Sequence, residues 1–201
     1  MSFLLTGCCY SGTTWASRLL SELGHPCDHE RWRPGRRNRP HHRGDSSWWA
    51  VPHLPVGVPT VHLVRDPIRV VRSGVRTGLF SDWRIGARVV SVGYVRRHRP
   101  DILAAADHLG RLIRFAATWD RSVAGHVLHV DRHGPAEVVA AVRHLTGVRH
   151  THRDVAEVLA ELGTRINAHG GDEVPLSWPE IEAHPDGHLL VDKARMFGYL
   201  P

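Results

Sequence analysis

The chain has 201 residues, 42% of them hydrophobic and 23% charged, with a formal net charge of +6. A chain of that size buries a core without disulfides or a structural metal. Its composition fits a soluble globular class, and no apolar run approaches the roughly 18 residues of a membrane span. The apolar start lacks a basic leader, so no signal peptide is expected. Cys8, Cys9 and Cys27 make an odd count, and the adjacent pair suits neither a redox CxxC nor a zinc knuckle. Reduced thiols and a cytoplasmic home are the expectation. Among the 26 basic residues Lys193 is the only lysine. The arginines supply bidentate anion binders, and a basic protein keeps polyanions among its possible partners. There are 17 histidines, but none has a spacing that points to zinc. His41, His42, His150 and His152 read as surface residues.

Phe3–Leu5 reads as a strand. A Gly/Ser/Thr turn follows, then an amphipathic helix with Trp15, Leu19, Leu20 and Leu23 on one face, stopped by Gly24. Pro26 to Gly44 reads as a loop, and its stretch 31–44 is rich in arginine, from Arg31 to Arg43. Ser46 to Leu54 reads as a short helix and Thr60–Val64 as a buried strand. Pro67 takes the first position of a helix reaching about Arg76. Asp101 to Ala124 reads as one long helix, with Trp119 on its inner face. Val127–Val130 is the next strand. Helices over Pro135–Leu145, ended by Gly147, over Asp154–Ile166 and over Leu189–Phe197 complete the chain. Strands alternating with helices predict an α/β fold, a parallel sheet covered on both faces. No linker stands out, so one domain over 1–201 is expected.

Residues 7–14 read Gly-Cys-Cys-Tyr-Ser-Gly-Thr-Thr. They match the phosphate-loop template G-x-x-x-x-G-K-S/T everywhere except Thr13, which stands where the template has lysine. A strand before and a helix after is the context such a loop needs. Successive backbone N–H groups at a helix N-terminus form an anion nest without any lysine. Gly12 lets a phosphate approach the backbone, and the Ser11, Thr13 and Thr14 hydroxyls add donors. The absent lysine is the group that reaches the β- and γ-phosphates in nucleoside triphosphatases. The loop therefore suits a nucleotide with a single 5′-phosphate and no metal.

Tyr10-Ser11-Gly12-Thr13-Thr14-Trp15 resembles the 5′-phosphosulfate loop of sulfotransferases that use 3′-phosphoadenosine-5′-phosphosulfate (PAPS), which typically reads Lys/Arg-Ser-Gly-Thr-Thr-Trp. A second stretch, Val61-His62-Leu63-Val64-Arg65-Asp66-Pro67 with Ser73 eight residues after the arginine, resembles that family's 3′-phosphate motif. Arg65 ends a strand, Pro67 starts a helix and Ser73 lies about two turns along it. A guanidinium gives phosphate a charge-assisted fork. Weaker similarity covers Cys27-Asp28-His29-Glu30, Asp45-Ser46-Ser47-Trp48 and Phe197-Gly198-Tyr199.

The resemblance implies a P-loop-type three-layer α/β/α fold with a central parallel sheet. It implies that Ser11 to Thr14 hold the 5′-phosphate, that Trp15 lies near the adenine, and that Arg65 and Ser73 bind the 3′-phosphate. PAPS would be the donor co-substrate, with no metal. The acceptor would be a small molecule or glycan offering a hydroxyl or amine. Glu30, then His29, would be the catalytic base. Where the family places a lysine or arginine, this chain has Tyr10, which carries no charge at neutral pH. Arg18 and Arg31 are candidates to replace that cation. Two other readings stand beside the enzyme: a P-loop nucleotide kinase-like protein, and a catalytically impaired relative that keeps nucleotide binding. No helix-turn-helix, RNA-binding or zinc-finger signature supports a nucleic-acid module.

Overall fold

Leu4, Leu5 and the small residues after them carry no polar alternation, as a strand buried on both faces requires. The structure is a computed structural model that describes residues 2–31, 43–81, 87–163 and 174–201. It places β1 at Leu4–Gly7 with all four residues buried. Four further strands join it: β2 (Cys27–His29), β3 (Gly44–Ser46), β4 (Thr60–Val64) and β5 (His126–His129). They form one five-stranded sheet in the order β2-β3-β1-β4-β5, with every pairing parallel. The fold is thus α/β with an all-parallel sheet flanked by helices.

The chain divides into two compact units, Met1–Arg65 with Ser122–Gly171, and Asp66–Arg121 with Asp172–Pro201. The first unit holds the whole sheet. Registered residues on parallel neighbours share a face, so Leu5, Val61 and Leu128 form one apolar surface with Leu63 and Phe3. Helix α1 (Thr13–Glu22) lays Trp15, Ala16, Leu19 and Leu20 into that core. From the far end of the chain come α6 (Pro135–Thr146), with Val138, Ala141 and Leu145, and α7 (His152–Gly163), with Val155 and Leu162. Helix α1 ends in a Schellman cap: Gly24 adopts φ 82°, its N–H reaches the Ser21 carbonyl, and the His25 N–H reaches the Leu20 carbonyl at 2.8 Å. Glycine is the residue for which that left-handed turn costs least.

The second unit is helical. It comprises α2 (Pro67–Thr77), α3 (Ala87–His98), α4 (Pro100–Leu103), α5 (His108–Thr118), α8 (Trp178–Glu182) and α9 (Gly187–Met196). Helix α5 packs against α2 and α9 and buries Leu112, Ile113, Phe115 and, just past its end, Trp119. The only lysine, Lys193 of α9, is buried, and its ammonium donates to the Asp120 carboxylate and to the Ala116 carbonyl at 2.7 Å.

Several sequence expectations need correction. The long helix over Asp101 to Ala124 is broken, because Asp107 caps a new start by accepting from the Gly110 N–H at 2.6 Å. A capping aspartate competes with helix continuation at its own position. The loop expected from Pro26 begins as β2, and its last residue opens β3; 32–42 lie outside the described residues, His41 and His42 among them. Ser46 belongs to β3, and the helix expected over Ser46 to Leu54 is a 3₁₀ turn over Trp48–His53. Helix α3 was not anticipated. His150, read as a surface residue, is half-buried with its Nε2 2.8 Å from that of His25, whereas His152 is exposed. The part of the expected seventh helix beyond Gly163 lies outside the described residues. No helix among them is long and apolar enough to cross a membrane.

Candidate functional site

In an open parallel sheet, ligands bind beyond the carboxyl ends of the strands, where neighbouring strands connect in opposite directions. Here that point lies between β1 and β4. The chain leaves β1 toward β2 on one side and leaves β4 toward β5 on the other. The two stretches singled out from sequence, residues 8–12 and Arg65, directly follow these two strands.

After Gly7 the backbone turns, with the Ser11 N–H on the Cys8 carbonyl at 3.0 Å. Tyr10 and Gly12 take left-handed conformations, φ 67° and 96°. Such alternation is how short loops build anion-binding concavities. Gly12 is required twice over. Its φ disfavours side chains, and a Cβ there would stand 2.6 Å from Val130 Cγ1. The Ser11 hydroxyl is 1% exposed and makes no hydrogen bond. A buried hydroxyl without a partner costs about 1–3 kcal/mol, so Ser11 is an exception that calls for a reason. Helix α1 starts at Thr13 and brings the positive end of its dipole to the same point.

The edge strand β2 delivers the candidate bases. His29 is in register with Ser46, which is in register with Leu5, so it points to the α1 face. Its Nε2 lies 3.3 Å from Thr13 Oγ1 and 3.2 Å from Thr14 Oγ1. Glu30 follows with φ 52°, its N–H bonded to the Ser46 carbonyl at 3.0 Å. One carboxylate oxygen lies 3.7 Å from His29 Nε2, and the other accepts from the Trp49 indole N–H at 3.4 Å. Loop hydroxyls, imidazole and carboxylate are therefore gathered in one place. Trp49 is a member the sequence reading missed as a partner. Its indole N–H is the only polar group on an otherwise apolar side chain, and nothing in the spacing pairs it with Glu30.

Arg65 extends its guanidinium to the Tyr10 carbonyl at 3.2 Å. The two candidates for the missing loop cation are placed differently. Arg18 is exposed on α1, and Arg31 is held by Asp28 at 2.8 Å. Trp15 is 8% exposed, packed in the core with its ring 4.6 Å from that of His133. His133 Nδ1 is buried without a hydrogen bond, a second group that spacing alone does not reveal. Ser73 lies buried on α2 of the second unit, and Asp66 caps that helix by accepting from the Ile68 N–H at 3.2 Å. The three cysteines are free thiols. Burial, reinforced by the Asp45 charge, pushes the Cys27 thiol well above its usual range, so it stays protonated. Among the described residues no group of three or more histidine, cysteine or acidic side chains is arranged to hold a metal ion.

Comparison with known proteins yields no match to a family model, to a curated protein or to a solved structure.

Proposed function

We propose that the chain is a sulfotransferase of the P-loop-type three-layer α/β/α class, moving a sulfuryl group from PAPS to a hydroxyl or amine of a small-molecule or glycan acceptor. The observation that carries this reading is the convergence of His29 on Thr13 and Thr14 beside a loop with an orphaned Ser11 hydroxyl. A nest with three hydroxyls and a base at its rim suits transfer of a small anionic group. It suits a triphosphate poorly, because Thr13 stands where the phosphate-binding lysine would be.

The chain's own groups divide the work. Loop N–H groups and the Ser11, Thr13 and Thr14 hydroxyls hold the 5′-phosphate. The acceptor oxygen bonds to sulfur as the bond from sulfur to the bridging phosphate oxygen breaks. The acceptor's proton passes to Glu30 or His29, a step worth about 10²–10⁴-fold. Negative charge gathering on the departing phosphate meets the start of α1 and the nest. Arg65, its guanidinium on the Tyr10 carbonyl, supplies the charge that meets the 3′-phosphate.

The test is a calorimetric titration with adenosine 3′,5′-bisphosphate in the absence of magnesium, beside AMP, ADP and ATP. The expected result is binding that needs the 3′-phosphate and is lost in Arg65→Ala. Tighter binding of ATP with magnesium would favour the kinase reading instead. With an acceptor in hand, Glu30→Gln and His29→Gln identify the base by a loss of turnover at unchanged bisphosphate affinity. A large rate gain in Tyr10→Lys would mean that the natural loop is an impaired one.

A further inference from the structure

We propose that Thr13 and Thr14 serve two partners in turn, the imidazole of His29 in the empty site and the donor's phosphate in the loaded one, so that donor binding releases the base and the acceptor reacts only second. This rests on the sulfotransferase reading and takes His29, not Glu30, as the group that receives the acceptor's proton.

Helix α1 carries a stripe of hydroxyls along the edge strand β2, about one turn apart: Thr13 and Thr14, then Ser17, then Ser21. Ser17 donates to the Cys27 carbonyl at 2.8 Å. Ser21 donates to the same oxygen at 3.4 Å and accepts from the Cys27 N–H at 3.2 Å. These rungs end on backbone and are fixed. The rung at the start of the helix ends instead on a side chain, with His29 Nε2 3.3 Å from Thr13 Oγ1 and 3.2 Å from Thr14 Oγ1. It can therefore be exchanged, while the Cys27 rungs and the pairing with β3 keep β2 in place.

The distances assign the hydrogens. A carboxylate is a stronger acceptor than a hydroxyl, so a proton on Nε2 would draw the ring and Glu30 together. Glu30 Oε1 stands instead at 3.7 Å, outside hydrogen-bond range, and both hydroxyls are closer. That is the arrangement of an Nε2 lone pair accepting from the threonines, with the ring proton on Nδ1. A lone pair engaged in this way cannot take a proton from an acceptor. A phosphate in the nest is a charged and stronger partner for the same hydroxyls. When they turn to it, the Nε2 lone pair is left to the acceptor's O–H or N–H. Once protonated, Nε2 faces a carboxylate already in position, because the Trp49 indole holds the other Glu30 oxygen at 3.4 Å.

The experiment uses the full chain at about pH 8, where an ordinary imidazole is neutral. Long-range proton–nitrogen correlation spectra, with His29 assigned through its own backbone, report the state of Nε2. The empty chain is expected to show a hydrogen-bonded lone-pair nitrogen. Saturation with adenosine 3′,5′-bisphosphate, without magnesium, is expected to move that resonance toward the value of an unbonded imidazole nitrogen. In calorimetry, His29→Ala should bind the bisphosphate about 2–10-fold more tightly, since no hydrogen bond is given up. His29→Gln, whose amide oxygen can take the same hydroxyls, should bind it as the natural chain does. A proton on Nε2 in the empty chain, or a bisphosphate-saturated chain with Nε2 unmoved, overturns this inference and leaves the sulfotransferase reading standing. Unchanged or weaker binding by His29→Ala does the same. No bisphosphate binding by the natural chain removes both. The spectra of the natural chain decide the matter even if a variant fails to fold.

Discussion

The two units treat their buried and half-buried polar groups differently. In the second, Lys193 reaches Asp120 and the Ala116 carbonyl, Arg114 pairs with Asp186 at 2.8 Å, and Arg72 donates to the Leu176 carbonyl. In the first, the Ser11 and Ser46 hydroxyls and His133 Nδ1 lie buried with no hydrogen bond. Most buried polar atoms in folded proteins are satisfied, and each exception calls for a reason. Polar groups of the helical unit hold the fold together. In the first unit Thr6 and Ser17 are bonded as well, to the Ser47 and Cys27 carbonyls, but Ser11 after β1 leaves its bonding capacity open.

The largest expected effect breaks the satisfied side of this contrast. Asp120→Ala leaves the Lys193 charge buried and uncompensated, with side-chain exposures of 9% for the lysine and 2% for the aspartate. Loss of one partner from such a pair costs about 3–5 kcal/mol. Urea denaturation should show the midpoint falling accordingly, and Lys193→Met in the same chain should recover part of it. An unchanged midpoint would mean that the pair contributes nothing to the fold.

Ser11→Ala probes the open side and has the opposite sign. Removing an orphaned hydroxyl leaves stability unchanged or raises it by about 1 kcal/mol. Affinity for adenosine 3′,5′-bisphosphate should fall at the same time. A destabilised variant with intact affinity would show that the hydroxyl serves the fold.

The smallest effect is one of pH. In the first unit burial holds His126 and His129 below the usual histidine value of 6.5, helped by the neighbouring His144 and Arg132 charges. The folded state therefore prefers them neutral. Their contribution is complete above about pH 6.5 and is lost as pH falls through the lower folded values. In the second unit, hydrogen bonds from Arg99 and from the Gly110 N–H hold Asp101 and Asp107 below 3.8. Their contribution persists above that pH and fades only as pH falls through the folded values. Urea midpoints should decline between pH 7.5 and 5.5, and a level profile there would remove the distinction between the units.

What could be read from the sequence follows the same division. The turn from β1 into α1, and Arg65-Asp66-Pro67 between β4 and α2, were legible because glycine, proline and cap chemistry act locally. The strands β2 and β3 were not. Each has three residues, and Asp28, His29, Asp45 and Ser46 are poor strand formers whose place comes from register of β3 with β1 and of β2 with β3. That gap concealed how His29 reaches Thr13. Helix α3 escaped because Val89 and Val90 face solvent, so it shows no clean apolar stripe. The break before α5 escaped because three alanines, Ala104 to Ala106, favour helix on propensity alone.

Lys193 has a further consequence. Amine-directed reagents find one side-chain amine in this sequence, and in the folded chain it is 8% exposed and bonded to a carboxylate. Acylation of that lysine therefore requires α9 to open. Its rate measures how often the second unit opens locally while the rest of the protein stays folded, a reporter of opening written into the natural sequence.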